Sequence, residues 1–143
     1  MRQLVGAADL NRAIDAGNRT LADCEQVLGP DHPDTLRSRL NLADAYRSAG
    51  RLGEAIPLYE RTLADCERVH GPDHPNTLTS RNNLAGAYES AGRLDEAITL
   101  YERTLADCER VLGPDHPNTL TSRNHLADAY RSAGRLGEAI PPS

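Results

Sequence analysis

Phenylalanine and tryptophan are absent from the 143 residues, methionine occurs once, and aromatic residues amount to 3%. A core organised around large rings is therefore excluded. The 38% hydrophobic fraction must act through many Leu, Ala and Tyr contacts, an economy that suits repeated small layers. Positive charge is also short, with 16 basic against 21 acidic residues and a formal charge of -5. That balance repels a phosphate backbone, and no basic cluster offsets it, so nucleic acid is not expected as a partner.

No run approaches the ~18 apolar residues of a spanning helix, and Met1 to Leu10 (MRQLVGAADL) lacks the apolar segment of a signal peptide. With a mean hydropathy of -0.58, the expectation is a cytoplasmic protein without a membrane partner. At this length one domain over 1–143 is expected. Cysteine is scarce and odd in number: Cys24, Cys66 and Cys108 stand 42 residues apart. A disulfide framework calls for even numbers and zinc for close pairs, so these are expected to be small buried helix residues marking a repeat. Also missing are a Gly-x-x-x-x-Gly-Lys loop, a Gly-x-Ser-x-Gly elbow and a paired Cys/His ligand set. Neither enzyme activity nor any cofactor or metal is expected.

What is present is a repeat. Gly-Pro-Asp-His-Pro begins at Gly29, Gly71 and Gly113, and residues 29–70 differ from 71–112 at only eight positions. Such a period signals a solenoid. His32, His74 and His116 lie one repeat apart, which places equivalent atoms about 10 Å apart in stacked layers. That is too far to share an ion, so Asp-His-Pro is read as loop geometry and capping. Within a unit, Leu78, Leu84, Ala85 and Tyr88 gather on one flank of a first helix, helix A. Asp73 is expected to cap it, with Pro75 in the first turn and Gly92 at its left-handed end. A second helix, helix B, spans Leu94 to Leu112. Its equivalent of Thr99 in the preceding unit is Pro57, expected to kink or tighten that turn. Glu54, Glu96 and Glu138 lie at helix B starts, where a carboxylate suits the helix dipole. The expected organisation is a helix B over 10–28, repeats over 33–70 and 75–112, and a partial repeat over 117–140 whose helix B, begun at Gly137, is cut off by Pro141-Pro142.

Leu42-Ala43-x-x-Tyr46 followed by Ala55-x-x-x-Tyr59, and Leu84-Ala85-x-x-Tyr88 followed by Ala97-x-x-x-Tyr101, resemble the signature of tetratricopeptide repeats. The 42-residue period with its Asp-His-Pro start resembles the kinesin-light-chain-like variant found in bacterial multi-repeat proteins. Arg39, Arg81 and Arg123 occupy the family's usual Trp position, a departure expected to lighten the packing of helix A. The resemblance implies an all-α, right-handed solenoid of antiparallel helix pairs, with a concave wall of A helices that holds an extended peptide or a partner helix.

The internal duplication suggests which face that is. Arg37/Thr79, Leu40/Asn82, Asp44/Gly86 and Arg47/Glu89, four of the eight differences, fall at offsets 0, 3, 7 and 10 on one face of helix A. The third unit places Thr121, Asn124, Asp128 and Arg131 there, with His125 where the second has Asn83. Glu60-Arg61 and Glu67-Arg68 on helix B return unchanged, so the variation reads as a display surface. The resemblance adds that helix-A asparagines clamp a ligand backbone, a role Asn41, Asn82, Asn83 and Asn124 can take. The expected partner-binding set is Arg37, Asn41, Asp44, Thr79, Asn82, Asn83, Glu89, Asn124, His125, Asp128 and Arg131. Its mixed charge predicts no ligand charge, and no basic clamp for a C-terminal carboxylate is assembled. The alternative is a structural spacer, a fragment of a longer array in a multidomain regulator. Such a spacer stacks head to tail through residues 10–28 of one copy and 117–133 of the next.

Overall fold

The computed structural model describes residues 7–134. Six helices follow one another: α1 (Ala7–Leu28), α2 (Pro33–Ser48), α3 (Leu52–His70), α4 (Pro75–Ser90), α5 (Leu94–Leu112) and α6 (Pro117–Ser132). No strand occurs among the described residues. The predicted helix starts at 33, 75, 94 and 117 match, whereas the first helix begins at Ala7 rather than 10. The expected helix B at 137–140 lies outside the described residues. α3 runs unbroken through Pro57.

The A helices start where the sequence permits it cheaply. Pro33, Pro75 and Pro117 occupy the first turn, where a missing N–H costs no helical bond. The cap differs from the expected one. The residue before each proline is the N-cap, and Nδ1 of His32, His74 and His116 accepts a hydrogen bond from the backbone N–H of Asp34, Asn76 and Asn118 at 3.1, 3.0 and 3.1 Å. Asp73, expected in that role, is instead held by both terminal nitrogens of Arg110, at 2.7 and 3.1 Å. The carboxylate lost the cap because a guanidinium is a stronger, bidentate partner. α2 and α4 end in a Schellman-type turn. In the first repeat Gly50 at φ +75° lets Arg51 N–H reach the Tyr46 carbonyl, and Gly92 at φ +78° does the same for Arg93 and Tyr88.

The chain divides into two compact units between Val69 and His70. In the first, α1 packs on α2, and Ile14, Leu21 and Leu42 form a small core flanked by Ala45, Tyr46, Ala49 and Leu58. α2 and α3 are antiparallel, since Asp44 meets Tyr59 while Arg39 meets Asp65. In the second, α4 packs on α5 and α5 on α6, around Ala85, Ala97, Ile98, Tyr101, Leu126, Ala129 and Tyr130. Burying a leucine such as Leu84 or Leu126 contributes about 2 kcal/mol. Asn18 donates to the Tyr46 hydroxyl in the first unit, and Tyr130 donates to Glu102 at the equivalent place in the second.

Two of the three arginines expected to lighten the packing of helix A do not do so, while the third, Arg123, is exposed. Arg39 and Arg81 are fully buried. Nη1 of each donates to Asp65 or Asp107 at 2.6 Å, and Nη2 to the carbonyl of Pro30 at 3.5 Å or Pro72 at 3.2 Å. A long side chain thus fills the volume a ring would take, and its charge is answered by helix B and the loop. Arg68 and Arg110 complete the arrangement by bridging the same aspartates to Asp31 and Asp73. These bonds hold the Asp31 and Asp73 carboxyls below the usual carboxylate range.

Candidate functional site

The expected binding set lies on α2, α4 and α6, and the two units place it differently. In the first, Arg37, Asn41 and Asp44 are exposed on α2. Asp44 is engaged within its own repeat, accepting a short hydrogen bond from the Tyr59 hydroxyl. Burial, then that bond, push the Tyr59 phenol well above its ordinary range.

In the second unit the side chains converge. Thr79, Asn82 and Asn83 of α4 and Thr121 and His125 of α6, with Leu78, Cys108 and Asn118, line a cleft of about 150 Å³. It runs between consecutive A helices because residues three and four apart share a helix face. Asn82 is half-buried there. Its Nδ2 donates to the Ser122 hydroxyl of α6 at 2.9 Å, while its Oδ1 is buried without a hydrogen-bond partner. The amide that ties α4 to α6 thus leaves an acceptor at the cleft. The His125 ring lies 5.7 Å from that of Tyr101, tilted by 57°. Cys108 lies under the cleft, its sulfur 3.8 Å from the Ser122 hydroxyl.

The remaining residues stand apart from the cleft. Glu89 accepts from the Tyr101 hydroxyl at 3.2 Å, the second repeat's counterpart of Asp44 with Tyr59 from a different position on the helix. Asp128 and Arg131 are exposed and pair at 3.1 Å. Asn124, equivalent to Asn82, is exposed. Ser122, Leu78 and Asn118 were not in the expected set. They carried no signal, since each recurs or varies outside the stripe of differences. Ser122 had one cue, its fixed distance of 14 residues from Cys108, which Cys24 and Ser38 repeat at 3.5 Å.

The arrangement gathers amide, hydroxyl and imidazole groups beside Leu78 and Cys108. Among the described residues no three His, Cys, Asp or Glu side chains are placed to hold a metal, and no helix is long and apolar enough to cross a membrane.

The pattern of the tetratricopeptide repeat family matches residues 5–64, 46–106 and 82–142. Among solved structures, a kinesin light chain-like protein of Podosopora anserina with nearly identical TPR-like repeats is similar at a TM-score of 0.82 and 32% identity. The match covers 92% of this chain and 63% of that one, so the chain spans less than two thirds of its length. BtubC (BKLC) from P. vanneervenii shares the fold at a TM-score of 0.66 and 19% identity, over 93% of this chain and 68% of that one. No curated protein matches the sequence.

Proposed function

The chain belongs to the tetratricopeptide repeat family, a generally non-catalytic fold used for protein interaction, and from that premise we propose that it holds an extended peptide or partner helix on its A-helix face. The observation that carries this reading is the cleft of Thr79, Asn82, Asn83, Thr121 and His125. It lies on the face where near-identical repeats differ. Asn83 and His125 on its walls carry the donors and acceptors that a ligand backbone would meet. Arg37, Asn41 and Asp44 hold corresponding repeat positions on α2 in the first unit, and Asn124, Glu89, Asp128 and Arg131 complete the proposed set in the second. A cytoplasmic location belongs to the same reading.

The test is selection from a random peptide library on the whole chain, followed by affinity measurement on the Asn83→Ala/His125→Ala variant. Asn82 is left intact because it also joins α4 to α6. Selected peptides should bind the variant about tenfold more weakly, a change of about 1.4 kcal/mol, with its helical signal and melting temperature unchanged. Equal affinity for both proteins would refute the site.

One observation favours a second reading, a spacer that stacks head to tail. Leu120 of α6 is exposed although Leu78, at the same repeat position of α4, is buried. Val27 and Leu28 are exposed on α1. In this reading residues 10–28 of one copy cover 117–133 of another. Sedimentation across concentration would then show growing particles that Leu120→Asp reduces to monomers, whereas a concentration-independent monomer would reject it.

A further inference from the structure

The motif that recurs most strictly, Gly-Pro-Asp-His-Pro, is not used by the binding reading, yet its histidine occupies the same place in all three A helices. Ser, Thr, Asp or Asn usually holds an N-cap position. Here Nδ1 of His32, His74 and His116 is the acceptor for the second helical N–H. An imidazole nitrogen accepts only while it is unprotonated; in imidazolium both nitrogens donate. Protonation therefore removes the cap and also sets a positive charge at the positive end of the helix dipole. We infer that the three histidine caps form a built-in proton switch, in which mild acid releases the first turns of α2, α4 and α6.

The surroundings rank the three. His32 has the Asp31–Arg68 pair beside it, Asp34 one residue into α2, and Arg39 held by Asp65 of α3 and 4.0 Å from Glu25 of α1. Asp34 puts a carboxylate in the first turn of α2, where it suits the positive end of the helix dipole and partly compensates for a lost cap. The second and third repeats carry Asn76 and Asn118 instead and have no such compensation. Around His74 stand Asp73 paired with Arg110 of α5, Arg81 paired with Asp107 of α5, and the His70 ring, stacked at 4.4 Å with 24° between planes. Two imidazolium rings at that separation repel, and His70 Nε2 is buried without a hydrogen-bond partner. His116 has Asp115 beside it and, further along α6, Arg123 paired with Glu109 of α5 at 3.5 Å. The second repeat should release first and the first repeat last.

Histidine in an unstructured chain titrates near pH 6.5, and the arginine-bound carboxylates of Asp31 and Asp73 stay ionised far below that. The interval from pH 7.5 to 5.5 therefore isolates the histidines. The test compares the melting temperature of the whole chain at these two pH values with that of His32→Asn/His74→Asn/His116→Asn, which keeps a cap that does not titrate. His70 and His125 remain in both proteins. The parent should lose roughly 10 °C on acidification, at about 4 °C per cap, and the variant less than half of that. Equal losses would overturn the inference. Should the variant fail to fold, amide exchange in the parent decides. After correction for the intrinsic pH dependence, protection at Asn76 and Asn118 should fall at least tenfold at pH 5.5 while α5 amides hold. Unchanged protection there would show the caps to be passive.

Discussion

α4 and α6 are nearly the same peptide. They differ only at Asn83/His125, Gly86/Asp128 and Glu89/Arg131, share the histidine cap, and end in the same glycine turn. Their surroundings are nonetheless different. Arg81 is 0% exposed and bonded to Asp107, whereas Arg123 is 45% exposed and reaches back to Glu109. Leu78 is 2% exposed and Leu120 43%. Local structure thus follows from the sequence of one unit, but burial follows from which neighbours the unit has. An identical residue can be core in one layer and surface in the next, as the one-dimensional energetics of repeat proteins require.

Substitution at paired positions sharpens this contrast. The largest gap should come from the arginines. Arg81→Ala leaves Asp107 partly buried with one partner fewer and should cost about 3 kcal/mol in urea denaturation, while Arg123→Ala should cost less than ~1 kcal/mol. Similar losses for the two would break the comparison. Leu78→Ala follows at about 2–4 kcal/mol, against under ~1 kcal/mol for Leu120→Ala, read from the same unfolding curves. Asn82→Ala removes the bond to Ser122 and should cost about 1 kcal/mol, with Asn124→Ala near zero.

The smallest effect is a dependence on acid. Burial alone would raise the Asp107 carboxyl, but hydrogen bonds from Arg81 and Arg110 outweigh it and hold the group below its ordinary range. The folded chain therefore binds this proton less readily than the unfolded one, so the contribution is whole above about pH 4 and is lost as pH falls below it. Stability measured between pH 4 and pH 2 should decline less steeply in Asp107→Asn than in the parent.

Much of the fold was legible because its signals are local. Proline at 33, 75 and 117 and glycine at 50 and 92 mark the helix ends through backbone chemistry that operates within a few residues. The 42-residue recurrence marked where each helix pair begins again. Two readings needed three dimensions. The fate of Arg39 and Arg81 depends on Asp65 and Asp107, 26 residues further on, and nothing in helix A alone says that a guanidinium there is buried. The choice of His74 over Asp73 as cap turned on Arg110, again a partner from the following helix. For the candidate site, the stripe of differences located Thr79, Asn82, Asn83 and His125, but Ser122 stayed hidden because an invariant residue inside a duplication looks the same whether it supports the scaffold or the cleft.

Thr35, Thr77 and Thr119 each donate to the carbonyl of the glycine six residues earlier, Gly29, Gly71 and Gly113, at 2.7, 2.8 and 2.8 Å. Every repeat thereby closes its own entry loop with an identical clasp, and the distance between clasps is the period itself. Adding or removing one whole period would leave each clasp, cap and buried arginine with its own kind of partner, because all of these bonds close inside a single repeat. A chain lengthened or shortened by one such period would therefore keep the full set of these bonds in every repeat that remains.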